Sequence, residues 1–225
     1  MIYKIVNKEK LNFFNPTYEY YIYETMVDFN LDFLKQFILQ KENEIIFNYP
    51  AHTDGDTGLG NNSLTSRYPH FNLLQYKELD FLKQTIKKEH DNFTSQLFDN
   101  ESGGLGYEYN VSENVYVQCW ANVMRKGEKI QKHIHGNNNY GYLGGHICVY
   151  TKDTNTYYSN PYNRENFVSK NFDGKLTFFP DYLAHYTDEV KNDLRITVAF
   201  DMITEQAWKE DIKEDMKSHW EPLHK

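Results

Sequence analysis

The feature that most constrains the fold is a series of short, alternating apolar segments in the second half of the chain. The series starts after Gly106, and turn-forming residues separate its members. Period-two alternation over such lengths predicts strands, and strands so spaced predict an antiparallel β-barrel or sandwich with helices packed outside it. The predicted strands cover residues 115–123, 129–134, 142–150, 156–158, 175–179, 185–187 and 194–202.

The chain before Gly106 has a mixed pattern. A strand is predicted over residues 18–27, and helices are predicted over 31–40 and between 71 and 97. Residues 53–67 are rich in Gly, Asn, Asp and Ser and predict a long loop. A loop of that length is either a functional lid, in which Arg67 meets an anionic substrate, or a surface loop.

A chain of 225 residues fits one domain with a substantial core. Because no repeat or low-complexity linker divides the chain, we separate its regions by their pattern of apolar and polar residues. Residues 1–106 are an N-terminal mixed α/β support and lid region, residues 107–204 a β-helix core, and residues 205–225 a C-terminal segment with an amphipathic helix from 205 to 220. The expected class is α+β, with a small β-barrel and flanking helices.

Composition excludes several classes of function. The 24 basic and 32 acidic residues give a net charge of −8, and no basic run occurs. Electrostatic binding to nucleic acid or to an anionic membrane is therefore not expected, although a neutral pocket for one nucleotide stays possible. The sequence shows no signal-peptide core or apolar span, and Cys119 and Cys148 lie in alternating apolar stretches, so we expect a cytoplasmic protein with reduced cysteines.

Histidine placement carries the most chemical information. His133 and His135 stand two apart at the end of a predicted strand, which places both imidazoles on one face. His185 follows Gly174 and Pro180 and opens a later strand. A histidine pair alone is more often structural, but three imidazoles from two hairpins can bind one metal ion and leave its other face open.

Arg195 is one of only four arginines, and it lies in the apolar strand LRITVAF. Alternation places Arg195, Thr197 and Ala199 on one face of this strand. A buried guanidinium requires a partner. That partner is either a ligand carboxylate, held with the help of the Thr197 hydroxyl, or an Asp or Glu of the same chain.

Together these residues resemble the double-stranded β-helix superfamily and, within it, the 2-oxoglutarate- and Fe(II)-dependent oxygenases. That family has H-x-D/E, a distal His, and R-x-S/T about ten residues later; here His133-Ile134-His135, His185 and Arg195-Ile196-Thr197 stand in the same order. The similarity covers residues 115–202 and is greatest to a group of such oxygenases found in bacteria and phages. Cupins share the fold and the glycine–histidine spacing, but they lack the Arg-x-Thr and carry a Glu that is absent here.

The resemblance implies Fe(II) as metal, 2-oxoglutarate as cosubstrate and O2 as oxidant. His133, His135 and His185 are the expected metal ligands, with no catalytic residue beyond them; Arg195 and Thr197, with Asn122 and Tyr142, are the expected cosubstrate residues. His135 replaces the usual carboxylate ligand. Either three imidazoles bind the metal, or His135 turns away and water or a distant carboxylate completes the shell.

The implied activity is that of a dioxygenase, a hydroxylase, that couples decarboxylation of 2-oxoglutarate to succinate with oxidation of an unknown substrate. The substrate classes left open are a small molecule, a modified nucleotide and a peptide. The alternative is a cupin-like metal-binding protein without oxygenase activity. A homodimer through the N-terminal strand or the C-terminal helix is also compatible with the sequence, and His146 is interpreted as structural.

Overall fold

The computed structural model describes residues 1–6, 13–14, 18–52, 57–98, 114–135, 142–160 and 165–224. Its strands are β1 (Ile2–Val6), β2 (Glu19–Met26), β3 (Val115–Arg125), β4 (Leu143–Tyr150), β5 (Asn155–Ser159), β6 (Asn166–Lys170), β7 (Lys175–Pro180), β8 (His185–Thr187), β9 (Leu194–Thr204) and β10 (Glu221–Pro222). Its α-helices are α1 (Leu31–Asn48), α2 (Asp80–Phe98) and α3 (Glu205–Glu210), and shorter 3-10 turns cover Thr65–His70, Leu73–Gln75, Lys77–Leu79 and Glu214–His219.

The strands form two antiparallel sheets. The large sheet has the order β1-β2-β7-β4-β9-β3-β10, and the small sheet has the order β6-β5-β8. A backbone bridge between His133 and His185 adds the segment before β4 to the edge of the small sheet. The two sheets enclose a narrow interior, which is the architecture of a double-stranded β-helix and confirms the predicted fold class.

The large sheet is buried on both faces. Along β9, Ile196, Val198 and Phe200 belong to the apolar core that also contains the helix residues Leu34 and Ile86. The alternate residues of β9 face the other sheet. The side of the sheet toward the helices is therefore apolar, while the interior of the barrel is free to carry polar chemistry.

The two long helices form the outer layer. Asn30 caps α1 by accepting a 2.9 Å hydrogen bond from the backbone N–H of Phe33. On α2, the ring of Phe93 stacks against Phe178 of β7, and the Glu89 carboxylate accepts a 2.8 Å hydrogen bond from Tyr23 of β2. In the part of the chain that is described, no helix is long and apolar enough to cross a bilayer.

The structure differs from the sequence predictions in several places. Residues 129–134 form no continuous strand: they join β8 only through a bridge at His133 and hydrogen bonds at Ile130. The strands β1, β6 and β10 were not predicted. Their residues do not alternate clearly between buried and exposed positions, so no alternating apolar pattern distinguishes them from loops. The boundary assigned near residue 106 lies outside the described residues.

The predicted C-terminal helix is wrong beyond Glu210. After α3 the chain forms a separate 3-10 turn, because side chains of the N-terminal region bind its backbone. Asn72 donates a 2.9 Å hydrogen bond to the carbonyl of His219, and Gln75 donates one of 2.8 Å to the carbonyl of Ser218. Tertiary contacts thus override a helical pattern.

Arg67 is a structural residue. Its side chain is buried and donates to the carbonyls of Ser63 (3.0 Å), Tyr49 (3.3 Å) and Ile46 (3.4 Å), and also to that of Asn61. These bonds join the loop that follows residue 57 to the end of α1. The guanidinium is therefore committed to the backbone and does not await an anionic substrate.

We expect Arg67→Ala to lower the free energy of unfolding by about 2–3 kcal/mol, because several buried carbonyls lose their donor. Arg67→Lys should recover only part of this loss, since an ammonium group lacks the fork that reaches both segments. Urea denaturation measures both variants. Lys88→Ala, at a side chain that is 75% exposed, is the control with a change below about 0.5 kcal/mol. Wild-type stability in Arg67→Ala would contradict the assignment.

Candidate metal centre

Three histidines converge at the mouth of the barrel. His133 and His135 come from the segment after β3, and His185 opens β8. Each offers one nitrogen, and the three nitrogens lie within 4.8 Å of one another. The ring centroid of His185 is 4.4 Å from that of His133 and 4.7 Å from that of His135. The rings of His133 and His135 therefore lie on one side, as expected from their spacing, and His185 lies close to both.

The protein orients each ring through its Nδ1 atom. His133 Nδ1 lies 2.8 Å from the carbonyl oxygen of Gln131, and His185 Nδ1 lies 3.0 Å from that of Leu183. His135 Nδ1 bonds the carboxylate of Asp201. Because each acceptor requires Nδ1 to carry the hydrogen, all three rings present the Nε2 lone pair.

The spacing of these nitrogens suits a metal ion. His133 Nε2 and His135 Nε2 are 3.2 Å apart. Two nitrogens bound to one transition metal at about 2.0–2.1 Å lie roughly 3 Å from each other. Two lone pairs at this separation repel unless a cation or proton lies between them, and together with His185 the pair is arranged so that it could hold a metal ion.

Asp201 supplies the negative charge that the ligand set lacks. It lies on β9, on the same face as Arg195 and Thr197, and bonds the ring of His135. Burial by itself lowers the pKa of His135, but the Asp201 carboxylate, its hydrogen bond and the charge of Asp181 outweigh burial and raise that pKa. A carboxylate behind a metal-binding imidazole strengthens it as a donor and fixes its orientation.

His185 has the opposite electrostatic environment. Burial, together with the neighbouring His135 and His133, holds its pKa well below the usual value. The ring is therefore neutral at pH 7, which is the state that binds a metal.

Arg195 lies inside the same cavity, which is also lined by the three histidines. Its side chain is 2% exposed, and within the described ranges no carboxylate forms an ion pair with it. Its guanidinium Nη1 approaches the sulfur of Met124 at 3.8 Å, and its Nε has no hydrogen-bond partner. Burial lowers its pKa. A buried cation without a counter-ion is costly, and this cost points to an anionic ligand.

Thr197 and Asn122 form a hydrogen-bonded pair beside Arg195. Asn122 donates a 3.4 Å bond to the Thr197 hydroxyl, while its carbonyl oxygen accepts from Thr65 (2.7 Å) and from the indole of Trp120 (3.2 Å). The hydroxyl hydrogen of Thr197 is thus left to point into the cavity. Thr65 belongs to the region predicted as a long loop, and it and Thr57 reach the cavity wall.

Tyr142 is the one predicted cosubstrate residue that the structure places elsewhere. Its hydroxyl lies 2.7 Å from Nε2 of His90 on α2, and its side chain lines an apolar groove with Phe93 and Leu97. The residue precedes β4, where the chain has not yet turned into the barrel. The loop 136–141, which includes Asn139 and Tyr140, lies outside the described residues.

Sequence reasoning missed His146, which it interpreted as structural. This residue lines the cavity from β4, paired in register with Thr177 and Ala199, and its Nε2 is buried without a hydrogen-bond partner. Burial and then the charges of Lys175 and Arg195 hold its pKa well below the usual value. The available signal was its place on β4, two residues after Gly144, on the strand face that turns inward.

A second, wider groove lies beside this cavity. It has a volume of about 920 Å³ and is lined by parts of β5 and β8 and by the segment before His133. Ile130 and Thr187 contribute to both spaces. The groove contains none of the three histidines, so the chemistry lies in the smaller, enclosed cavity.

Comparison with solved structures finds several similar proteins. A prolyl-4-hydroxylase from Pseudomonas putida matches over 81% of this chain and 92% of its own, with 10% identity and a TM-score of 0.53. A viral collagen prolyl hydroxylase of Paramecium bursaria Chlorella virus-1, solved as its 2OG complex, matches over 81% and 95% with 10% identity and a TM-score of 0.47. A 2OG-Fe(II) oxygenase family protein from Burkholderia pseudomallei matches over 50% of this chain and 57% of its own, with 16% identity and a TM-score of 0.38.

At these identities the likeness establishes a shared fold, the double-stranded β-helix that the sequence resemblance implied. No family model matches the chain, and no curated protein does.

We expect Asp201→Asn to weaken metal binding about 10- to 100-fold, because the amide still accepts from His135 Nδ1 but removes the charge behind it. Titration of the metal-free protein with Co²⁺ or Zn²⁺ measures this affinity. Asp173→Asn is the matched control, since Asp173 accepts hydrogen bonds from Thr151 and not from a histidine. Equal affinity in Asp201→Asn and wild type would show that the carboxylate does not tune the site.

Proposed function

We propose that the protein is an Fe(II)- and 2-oxoglutarate-dependent dioxygenase. The observation that carries the proposal is one enclosed cavity that holds both the three converging Nε2 atoms and a buried arginine without a carboxylate partner. A metal-binding protein of another kind requires only the histidines.

His133, His135 and His185 are the proposed ligands of Fe(II). Three imidazoles occupy one face of the ion, and the other face stays open to small oxygen ligands. Asp201 acts from behind His135, so the overall charge of the usual two-histidine, one-carboxylate set is preserved although the carboxylate does not bind the ion. The proposal therefore requires neither a displaced His135 nor a distant carboxylate ligand, the two alternatives that the sequence left open.

Arg195 is the proposed anchor for the far carboxylate of 2-oxoglutarate. Its guanidinium pairs with the carboxylate, and Thr197, positioned by Asn122, donates a hydroxyl hydrogen bond beside it. The unpartnered Nε of Arg195 and Nε2 of His146 support a polar occupant, because both atoms are buried in this cavity. The neutral His146 adds a donor without a competing charge.

When bound, Fe(II) and 2-oxoglutarate would use O2 to oxidise a C–H bond of the substrate, with release of succinate and CO2. The contribution of this chain is to fix the orientation of the dicarboxylate and to exclude water. Phe179, Ala199 and Trp120 form the apolar part of the wall.

The cavity as it stands has a volume of about 40 Å³. This is space for about three water molecules, and a dicarboxylate is larger. Binding therefore requires the walls to separate. The part of the wall formed by Thr57 and Thr65 lies outside the two sheets and belongs to the region predicted as a lid.

The reaction proposed is hydroxylation, in the cytoplasm, of a small molecule, nucleotide or peptide residue. The alternative, a cupin-like metal-binding protein without oxygenase activity, predicts that Arg195 is held by a carboxylate of its own chain. Among the described residues no such ion pair is present, which favours the oxygenase.

We expect Arg195→Met to weaken cosubstrate binding roughly thirtyfold or more, for about 2 kcal/mol of lost charge pairing. Calorimetric titration of 2-oxoglutarate into the Ni²⁺- or Mn²⁺-loaded protein measures this. Arg125→Met is the matched control, because Arg125 pairs with Glu42 at 2.7 Å on the outer side of the sheet. Failure of 2-oxoglutarate to bind the metal-loaded wild type would contradict the proposal.

The stability of the same variant distinguishes the oxygenase from the cupin-like metal-binding protein. Because Arg195 carries a buried charge without a counter-ion, Arg195→Met should leave the free energy of unfolding of the ligand-free protein unchanged or raise it by about 1–3 kcal/mol. A structural, ion-paired arginine would give a loss instead. Urea denaturation of the ligand-free protein measures the sign.

Turnover is tested by succinate release from 2-oxoglutarate with added Fe(II) and ascorbate. Wild type should release succinate, and His185→Ala and Arg195→Met should not. Equal release from wild type and His185→Ala would show that the histidines are not the reaction centre.

A further inference from the structure

We propose a second divalent-metal site, formed by His90 and Asp91 of α2 and by His224, that is separate from the three-histidine centre and goes beyond the proposed oxygenase function. One ligand atom from each of these residues lies within 4.8 Å of the other two. The site takes a transition metal of the Zn²⁺, Co²⁺ or Ni²⁺ class.

The distances suit a single ion. Asp91 Oδ1 lies 3.6 Å from His90 Nδ1 and 3.9 Å from His224 Nδ1. Ligand atoms around a tetrahedral ion with bonds of about 2.0–2.2 Å lie roughly 3.3–3.6 Å apart, so both carboxylate–imidazole distances are within a few tenths of an ångström of that range. The two rings stand 5.7 Å apart at 59°, which lets both nitrogens point to a common centre.

His90 supplies the observation that requires an explanation. Its side chain is 2% exposed, and its Nδ1 is buried without a hydrogen-bond partner. Its other nitrogen, Nε2, lies 2.7 Å from the Tyr142 hydroxyl. When Nε2–H donates to that hydroxyl, Nδ1 presents a lone pair toward Asp91 and His224, as a metal ligand does.

The protonation states of the three side chains suit a metal site better than an ordinary ion pair. Burial and the neighbouring His224 lower the pKa of His90 to about 4, and burial also lowers the pKa of His224, so both rings are neutral at pH 7. Lys87 bonds Asp91 through Oδ2, at 3.1 Å, and leaves Oδ1 to face the rings. Two neutral imidazoles and one carboxylate oxygen favour Zn²⁺, Co²⁺ or Ni²⁺ over Mg²⁺ or Ca²⁺.

An ion here would fasten the C-terminal segment to α2. β10 pairs with β3, and Leu223 N–H donates a 2.7 Å hydrogen bond to the carbonyl of Val115. Lys83 of α2 lies 3.7 Å from the Glu221 carboxylate. The ion would add a second link between α2 and the C-terminal segment, and by binding only the folded chain it would stabilise the fold.

The test counts bound metal. Wild type, His224→Ala, Asp91→Asn and the double variant His133→Ala/His185→Ala are dialysed against Zn²⁺, and the bound metal is measured by elemental analysis. His219→Ala is the matched control, because His219 lies in the same C-terminal segment outside the cluster. Circular dichroism checks folding, and the partly exposed His224 and Asp91 are chosen so that buried His90 need not be altered.

We expect two equivalents in wild type and in His219→Ala, and one each in His224→Ala, in Asp91→Asn and in the double variant. Combining His224→Ala with the double variant should leave none. If His224→Ala still holds two equivalents, or the double variant holds none, the second site is overturned. The proposed function fails separately, when 2-oxoglutarate does not bind, and that result leaves the metal count unchanged.

Discussion

The structure depends on a single strand, β9, that faces two opposite environments. Its outward residues, such as Val198, join the apolar core beneath the helices, while Arg195, Thr197 and Asp201 point into the barrel. Helices cover one face and the small sheet covers the other, so nearly every residue of the strand is buried. Burial of a charge on this strand is tolerable only where a ligand or a neighbouring ring compensates it. The alternation of β9 therefore decides both how the core packs and where chemistry can occur.

Replacement of a metal-binding carboxylate by histidine need not change the charge of the centre. Here Asp201 of β9, in the large sheet, supplies a carboxylate that bonds the imidazole of His135. The ion would then have three nitrogen donors, and the negative charge would lie one ring farther away. Such an arrangement holds a soft-to-borderline ion well and makes the affinity depend on how firmly Asp201 fixes that ring.

The sequence allowed the fold class and the centre to be predicted because both rest on short-range regularities. Period-two alternation located β3, β4, β7 and β9, and the spacing of His133 and His135 placed both rings on one face. Tyr142 was misplaced because it precedes β4, and its hydroxyl bonds His90 of α2 instead of entering the barrel. His146 was interpreted without deciding which face of β4 turns inward, and the pairing of β4 with β7 and β9 determines that face. Asp201 was overlooked because its partner lies 66 residues away along the chain.

Two polar atoms that line the cavity are buried without a hydrogen-bond partner in the described part of the chain. They are Arg195 Nε and His146 Nε2. Each such atom costs on the order of 1–3 kcal/mol, and a protein selected for stability alone would replace them with apolar side chains. A ligand that satisfies both atoms recovers much of that cost on binding. The position of both atoms in one cavity, beside three imidazoles, is therefore more simply explained by an anionic ligand than by a barrel that only holds a metal ion.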